Sequence, residues 1–337
     1  MKNYGLFIGI DISKKWIDVS LTITGDKSNM VHRRFDNHQP GFKKLLSWIG
    51  KFAKENKIEK DWLICMEHTG VYSLPLCVFL KTKHLDYALE SALQINRSLG
   101  IRRGKSDKAD SKDIAKYAFQ YHKSLKVNNL PSQQLMQIKN LLTFRKRLVK
   151  QRTAHKSSST EFNKLMPEQF QLSLIKESTK EFISALNKQI RQVDKAIKEI
   201  INSNEELEKL YNLVTSVKGI GLVIGANMLV CTNAFKGFKN ARQFACYIAV
   251  APFGKSSGSS LNVAPKVGKL GSSKLKALFS NACMAAIQHD PQIKAYFNRK
   301  IEEGKTEGCV YNAIKNKLIA RIFAVVKRGT PYVELAY

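Results

Sequence analysis

Four acidic residues stand where acids are unexpected. The 337-residue chain carries 56 Lys and Arg against 27 Asp and Glu, so a carboxylate inside an apolar run calls for a reason. Asp11 ends the apolar segment Ile8-Gly9-Ile10, and Glu67 ends another just before His68-Thr69-Gly70. A carboxylate there is costly unless a cation or a donor meets it. Asp107 and Asp110 are spaced i, i+3 at an expected helix start, so both side chains can point one way. Two strand ends and one helix start can bring four hard oxygen donors to one or two Mg2+ ions, with Mn2+ as the alternative. A metal pair suits in-line phosphodiester chemistry. Asp107 and Asp110 also fit a plainer reading, capping of the helix N-terminus. His68 reads as a structural neighbour.

A second chemistry-bearing stretch is Lys255-Ser256-Ser257-Gly258-Ser259-Ser260. Serine is a weak nucleophile at its free pKa and needs a metal, a base or a positive field. Lys255, Lys266 and Lys269 lie around Ser256 and Ser257 and can hold a phosphate. The same composition also describes a flexible linker. Arg97, Arg102, Arg103, Lys105 and Lys108 crowd the approach to Asp107, where a phosphate backbone would enter. The Lys- and Arg-rich stretch 139–156 either tracks phosphates or is a solvated helix face. Gly219-Ile220-Gly221 lies between two apolar stretches, and a helix-hairpin-helix there exposes backbone N–H groups to a phosphate oxygen.

The elements that position these groups follow from periodicity. Gly5–Ile12 reads as a buried strand, Ser13-Lys14-Lys15 as a turn, and Trp16–Thr24 as a half-buried strand with Trp16, Asp18, Ser20 and Thr22 on its polar face. Asn29–Phe35 completes a meander, and Pro40 opens a helix with Phe42, Leu45, Leu46, Ile49 and Phe52 on one stripe. Asp61–Glu67 is a strand, Tyr72–Lys81 a helix, Tyr87–Leu89 a strand and Ser106–His122 a helix, an α/β layout. After Pro131 the pattern turns to long helices. Leu135, Ile138, Leu142 and Val149 share a face that Arg145 interrupts. Leu186, Ile190, Val193, Ile197 and Ile200 form a heptad seam, expected in an antiparallel hairpin or a dimeric coiled coil. Ser157-Ser158-Ser159 and Pro167 mark the break between the arms. Helices are expected at Val223–Val230, Asn240–Ala251, Ser272–His289 and Cys309–Lys327. The expected domains are 1–125, α/β and catalytic; 126–212, a helical coiled-coil middle; and 213–337, mostly α-helical and carrying the serines.

Composition narrows the function classes. Apolar residues make up 44% of the chain, which excludes a wholly disordered basic protein. The formal net charge of +29 opposes compaction unless a polyanion neutralises it, so nucleic acid is the expected partner. The longest apolar stretches are too short for a membrane span, and the N-terminus shows no leader pattern. A cytoplasmic, nucleoid-associated protein is expected. No two of the six cysteines are spaced as C-x-x-C, so they read as reduced core thiols.

Three segments carry a family resemblance: Phe7-Ile8-Gly9-Ile10-Asp11-Ile12-Ser13-Lys14, Met66-Glu67-His68-Thr69-Gly70-Val71-Tyr72 and Gly104-Lys105-Ser106-Asp107-Lys108-Ala109-Asp110. They resemble the acidic motifs of the DEDD-type insertion-sequence transposases, which are akin to pilin-gene inversion recombinases. Val217–Gly221, Ala249-Val250-Ala251-Pro252 and Ser256-Ser257-Gly258 resemble that family's second domain. The resemblance implies a RuvC-like (ribonuclease H-like) N-terminal domain with Asp11, Glu67, Asp107 and Asp110 as a metal-binding tetrad. It implies Ser257 as a nucleophile that links covalently to DNA, with Ser256 as the competing position. It further implies donor and target DNA as substrates, a noncoding bridge RNA as guide, and a homo-oligomer, a dimer or a synaptic tetramer, whose subunits share the two sites. The competing classes are a sugar kinase of the actin-like ATPase fold, a Holliday-junction resolvase and a non-enzymatic nucleic-acid-binding protein. The first lacks its Asp-x-Gly-Gly-Thr segment here, and the second lacks a serine domain.

Overall fold

The computed structural model describes residues 3–59, 61–68, 70–98, 100, 106–127, 130–257, 261–268 and 270–333. The chain divides into two compact units, Met1–Leu130 and Pro131–Tyr337.

The first unit opens with β1 (Leu6–Ile12), β2 (Trp16–Thr22) and β3 (Val31–Asp36), an antiparallel meander. Ser13 closes its first turn, with Oγ donating to the Trp16 carbonyl at 2.9 Å. There follow α1 (Gln39–Glu55), β4 (Trp62–Glu67), α2 (Leu74–Thr82), β5 (Asp86–Glu90), α3 (Ala92–Ser98) and α4 (Asp107–Tyr121). The sheet order is β3-β2-β1-β4-β5, and β4 runs parallel to both β1 and β5. Both faces are covered. Ile8, Ile10 and Val19 pack with Phe42, Leu45 and Ile49 of α1 and with Leu76 and Leu80 of α2. Phe7, Leu63 and Cys65 pack with Ile95 of α3 and with Ile114, Tyr117 and Ala118 of α4.

This second cover corrects the expected half-buried strand. Asp18, Ser20 and Thr22, the polar face of β2, are all buried, because α4 lies across them and Ser20 Oγ meets Ser111 Oγ at 2.8 Å. The approach is close at Gly9, where an added Cβ would overlap Ser111 O and Ala115 N of α4. Only glycine lets a helix backbone rest on a strand in this way.

In the second unit, α5 (Gln133–Leu165) and α6 (Ser173–Asn202) form an antiparallel hairpin. Arg145 bonds Asp194, Arg152 bonds Asn187, and the His155 ring packs on Phe182, pairings that run in opposite directions along the two helices. Leu135, Ile138, Leu142 and Leu148 face Leu186, Ile190, Val193, Ile197 and Ile201. Ile201 is fully buried, whereas Ile200 packs only at the edge, because a 3.6-residue helix drifts against a strict heptad. The serines at 157–159 do not break α5. Serine in a helix costs only tenths of a kcal/mol, while proline removes a donor, so the turn comes at Met166–Leu172, around Pro167.

Then come α7 (Glu205–Thr215), α8 (Leu222–Cys231), α9 (Ala241–Tyr247), β6 (Pro252–Ser257), β7 (Leu261–Val267), α10 (Ser273–His289), α11 (Pro291–Glu302) and α12 (Glu307–Arg328). Gly219, between α7 and α8, has φ +87, and a Cβ there would press on Ala282 O of α10. The helix expected over 240–251 stops at Tyr247. Ala249 takes a left-handed conformation, and the Val250 carbonyl accepts from Asn312 and Asn316 of α12 instead of continuing the helix. Ser256 and Ser257, where a linker reading was open, end the first strand of a two-stranded antiparallel ribbon, with a bulge between Phe253 and Lys255. No helix among the described residues is long and apolar enough to cross a membrane.

Candidate acidic centre and serine ribbon

The parallel pairing of β1 and β4 brings Asp11 and Glu67, near or at their C-terminal ends, to one edge of the sheet. The N-terminus of α4 arrives at that edge. Ser106 caps it, accepting from Ala109 N at 3.2 Å, and Asp107 and Asp110 occupy its first turn. Asp11 is half-buried, and its carboxyl is pushed up to about 6, first by burial and then by the negative charges of Asp110, Glu67 and Asp107. All four carboxylates therefore share one electrostatic neighbourhood. Among the described residues, no three Asp, Glu, His or Cys side chains are gathered tightly enough to hold a metal ion. Like charges repel, and Arg34 draws Asp107 aside, its Nη2 donating to Asp107 Oδ2 at 3.0 Å.

Arg34, itself half exposed, belongs to a cluster around the buried Asp18 that the sequence did not reveal. Asp18 lies directly opposite Asp11 in the β1–β2 register and is 3% exposed. It accepts from Arg34 Nε at 3.0 and 3.2 Å and meets His32 Nε2 at 2.9 Å. The guanidinium is thus anchored on Asp18 along one edge and reaches Asp107 with the other. In the sequence Asp18 is one acid on the polar face of an alternating strand. Below Asp110, Asp113 is buried and pairs with Lys27.

The donor set is all carboxylate oxygen, the chemistry a hard dication prefers, and the mutual repulsion felt at Asp11 is the kind a dication relieves. In donor chemistry, though not in their present spacing, the residues fit such an ion.

In the second unit, Ser256 pairs with Asn262 and Ser257 with Leu261, so both serine positions close the β6–β7 ribbon at its connecting end. Lys266 lies on β7 and is exposed. Arg97 sits in the last turn of α3 and Lys108 in the first turn of α4, both exposed. Arg102, Arg103, Lys105 and Lys269 lie outside the described residues, as do the side-chain placements of Lys255, Ser256 and Ser257.

Comparison with known proteins covers both units. Residues 8–167 match a DEDD transposase family model of IS110 type, and residues 211–298 match the model of the transposase IS116/IS110/IS902 family. The pilin gene-inverting proteins of Moraxella bovis and Moraxella lacunata are each 30% identical over 334 residues, 97% of this chain and 97% of theirs. An uncharacterized 43.6 kDa protein of insertion element IS110 from Streptomyces coelicolor is 30% identical over 163 residues, 48% of this chain and 38% of its own.

Proposed function

The chain belongs to the IS110 family of transposases and is a DNA recombinase, and from that premise we propose that it cuts and rejoins DNA with an acidic metal centre and a serine nucleophile. The observation that carries this reading is the shared field at Asp11, where burial and three further carboxylates push one carboxyl up to about 6. Acids so crowded suit a cation-dependent site. Asp11, Glu67, Asp107 and Asp110 hold Mg2+, or Mn2+ in its place. The ion supplies Lewis-acid polarisation of a phosphate oxygen. The mixed sheet with carboxylates at its central parallel strand ends and at a helix start supports a RuvC-like first domain.

Ser257 Oγ attacks the scissile phosphorus. The Oγ–P bond forms as the bond to the departing DNA oxygen breaks, and the serine's proton ends on that oxygen. A second DNA hydroxyl then attacks the adduct and frees the serine, so the phosphodiester energy is kept and no ATP is needed. Arg97, Arg102, Arg103, Lys105 and Lys108 steer the backbone toward the acids, and Lys255, Lys266 and Lys269 steer it toward the serine. The substrates are donor and target DNA, a noncoding bridge RNA selects them, and copies of the chain assemble as dimers and as a synaptic tetramer.

The test traps a reaction in Mg2+, denatures it and maps the DNA-linked peptide by mass spectrometry. An adduct on Ser257, lost in Ser257→Ala and absent in Asp11→Asn, is the expected result. An adduct on Ser256 moves the nucleophile by one residue. Full strand exchange by both serine-to-alanine variants, with no adduct, overturns the serine chemistry.

A further inference from the structure

At the root of the serine ribbon lies a cleft of about 980 Å3, bounded by α9, β6, β7, α11 and α12. Arg242, Lys266 and Lys317 line it, and none of the described residues lining it is acidic. The cations are held in place. Arg242 donates to the Pro252 carbonyl at 2.9 Å and lies 5.2 Å from the centroid of the Phe253 ring. Lys317 Nζ stands 4.4 Å from the centroid of Tyr296. Phe253 is 51% exposed, an aromatic face beside a cation and open to solvent.

We propose that this cleft binds single-stranded DNA, with Arg242, Lys266 and Lys317 on successive phosphates and a base stacked against the exposed face of Phe253. Cations with no acidic residue beside them among the described lining residues, interleaved with aromatic rings, match the two needs of a single strand: neutralised phosphates and a platform for unstacked bases. Duplex DNA offers the phosphates but keeps its bases stacked on each other. The location supplies the choice of DNA over RNA. A strand rises about 3.3 Å per residue, so Ser257 stands about 17 Å along β6 from Pro252 at the cleft wall. One DNA strand can lie in the cleft and extend to the ribbon's end. The proposal rests on the reading of that ribbon as the carrier of the nucleophile and names what holds its substrate.

Two measurements on the full-length protein test it. In the first, labelled single-stranded DNA is titrated by anisotropy at several salt concentrations. Each lost phosphate contact removes about 0.7 from the slope of log K against log salt, so Arg242→Gln/Lys317→Gln should flatten it by about 1.4, with roughly tenfold weaker binding at moderate salt. Lys317→Gln alone, on the exposed face of α12, serves if the double variant misfolds. In the second, no mutation is needed. Cys309 is exposed and lines the cleft, whereas Cys65, Cys77 and Cys283 are buried. Single-stranded DNA should slow maleimide labelling of Cys309, and duplex DNA of equal length should slow it less. Unchanged slope and unchanged labelling overturn the proposal, and protection by RNA but not by DNA overturns it in favour of an RNA site. Ser257→Ala should bind the oligonucleotide normally. Weaker binding by Arg242→Gln/Lys317→Gln with no serine adduct in the unmodified protein would sink the nucleophile and spare the cleft, and a serine adduct with unchanged binding and labelling would do the reverse.

Discussion

Gly9 and Ala115 meet backbone to backbone, with no room for a Cβ between β1 and α4. Two residues beyond Gly9 stands Asp11, and one to two turns before Ala115 stand Asp110 and Asp107. The separation of the acids is therefore gauged by a missing methyl group. Gly9→Ala should push α4 outward, lower stability by about 1–3 kcal/mol as overpacking does, and reduce strand cleavage more than DNA binding. Urea unfolding and a cleavage assay check this. A variant with unchanged stability would mean that α4 has slack against the sheet.

Asp11 makes stability depend on pH in an unusual direction. Its folded carboxyl holds a proton up to about 6, well above the usual carboxylate range. Folding is therefore disfavoured by this group as pH rises through that window, and the penalty persists above it. Asp11→Asn carries no such penalty. In EDTA the variant should melt with the wild type near pH 4 and above it near pH 7.5, while losing strand cleavage. Mn2+ should raise the wild-type Tm and leave the variant's nearly unchanged. A variant that melts lower at pH 7.5 would contradict the shared-field account.

Arg34 stabilises two acids at once. Arg34→Gln leaves Asp18, which is nearly inaccessible to water, held by His32 on its remaining side. Hydrogen bonds to a charged group are stronger than neutral ones, so the variant should unfold at a lower denaturant concentration than the wild type. Adding Asp18→Asn should regain more than half of that difference, because the buried charge that needed a partner is gone. Equal stability of the single and double variants would assign Arg34 a surface role only.

The charge of +29 should make nucleic-acid affinity steeply salt-dependent. Each neutralised phosphate on B-DNA adds about −0.9 to the slope of log K against log salt. A duplex-binding slope steeper than about −4 is expected from so many cations. A slope near zero would remove the polyanion argument.

The acids Asp11 and Glu67 were legible in the sequence because each interrupts an apolar run, and the start of α4 because Ser106 precedes Asp107 and Asp110. Asp18 was not. In an alternating strand an acid on the polar face reads as solvated, and only the later arrival of α4 reveals that both faces are buried. Arg145 looked like a flaw in an apolar face until Asp194, on the opposite arm, met it at 2.5 Å. The ribbon was missed for the opposite reason. Serine and glycine carry little strand propensity, and the pairing of Ser257 with Leu261 is a tertiary fact. Arg242 and Lys317 come from elements far apart in the chain, so no local pattern joins them.

The strand order also sets a timetable for a chain emerging from the ribosome. β1 is made first, yet its parallel neighbour β4 and then α4 must follow before Asp11 acquires its three companions. At about 5–20 residues per second, roughly a hundred residues of synthesis take some 5–20 s. The first unit has cores of its own, so it can close while the serine ribbon is still untranslated. A transcript cut short after residue 130 would yield the acids without the serines, a fragment that under the mechanism proposed above could approach DNA but could not reseal it.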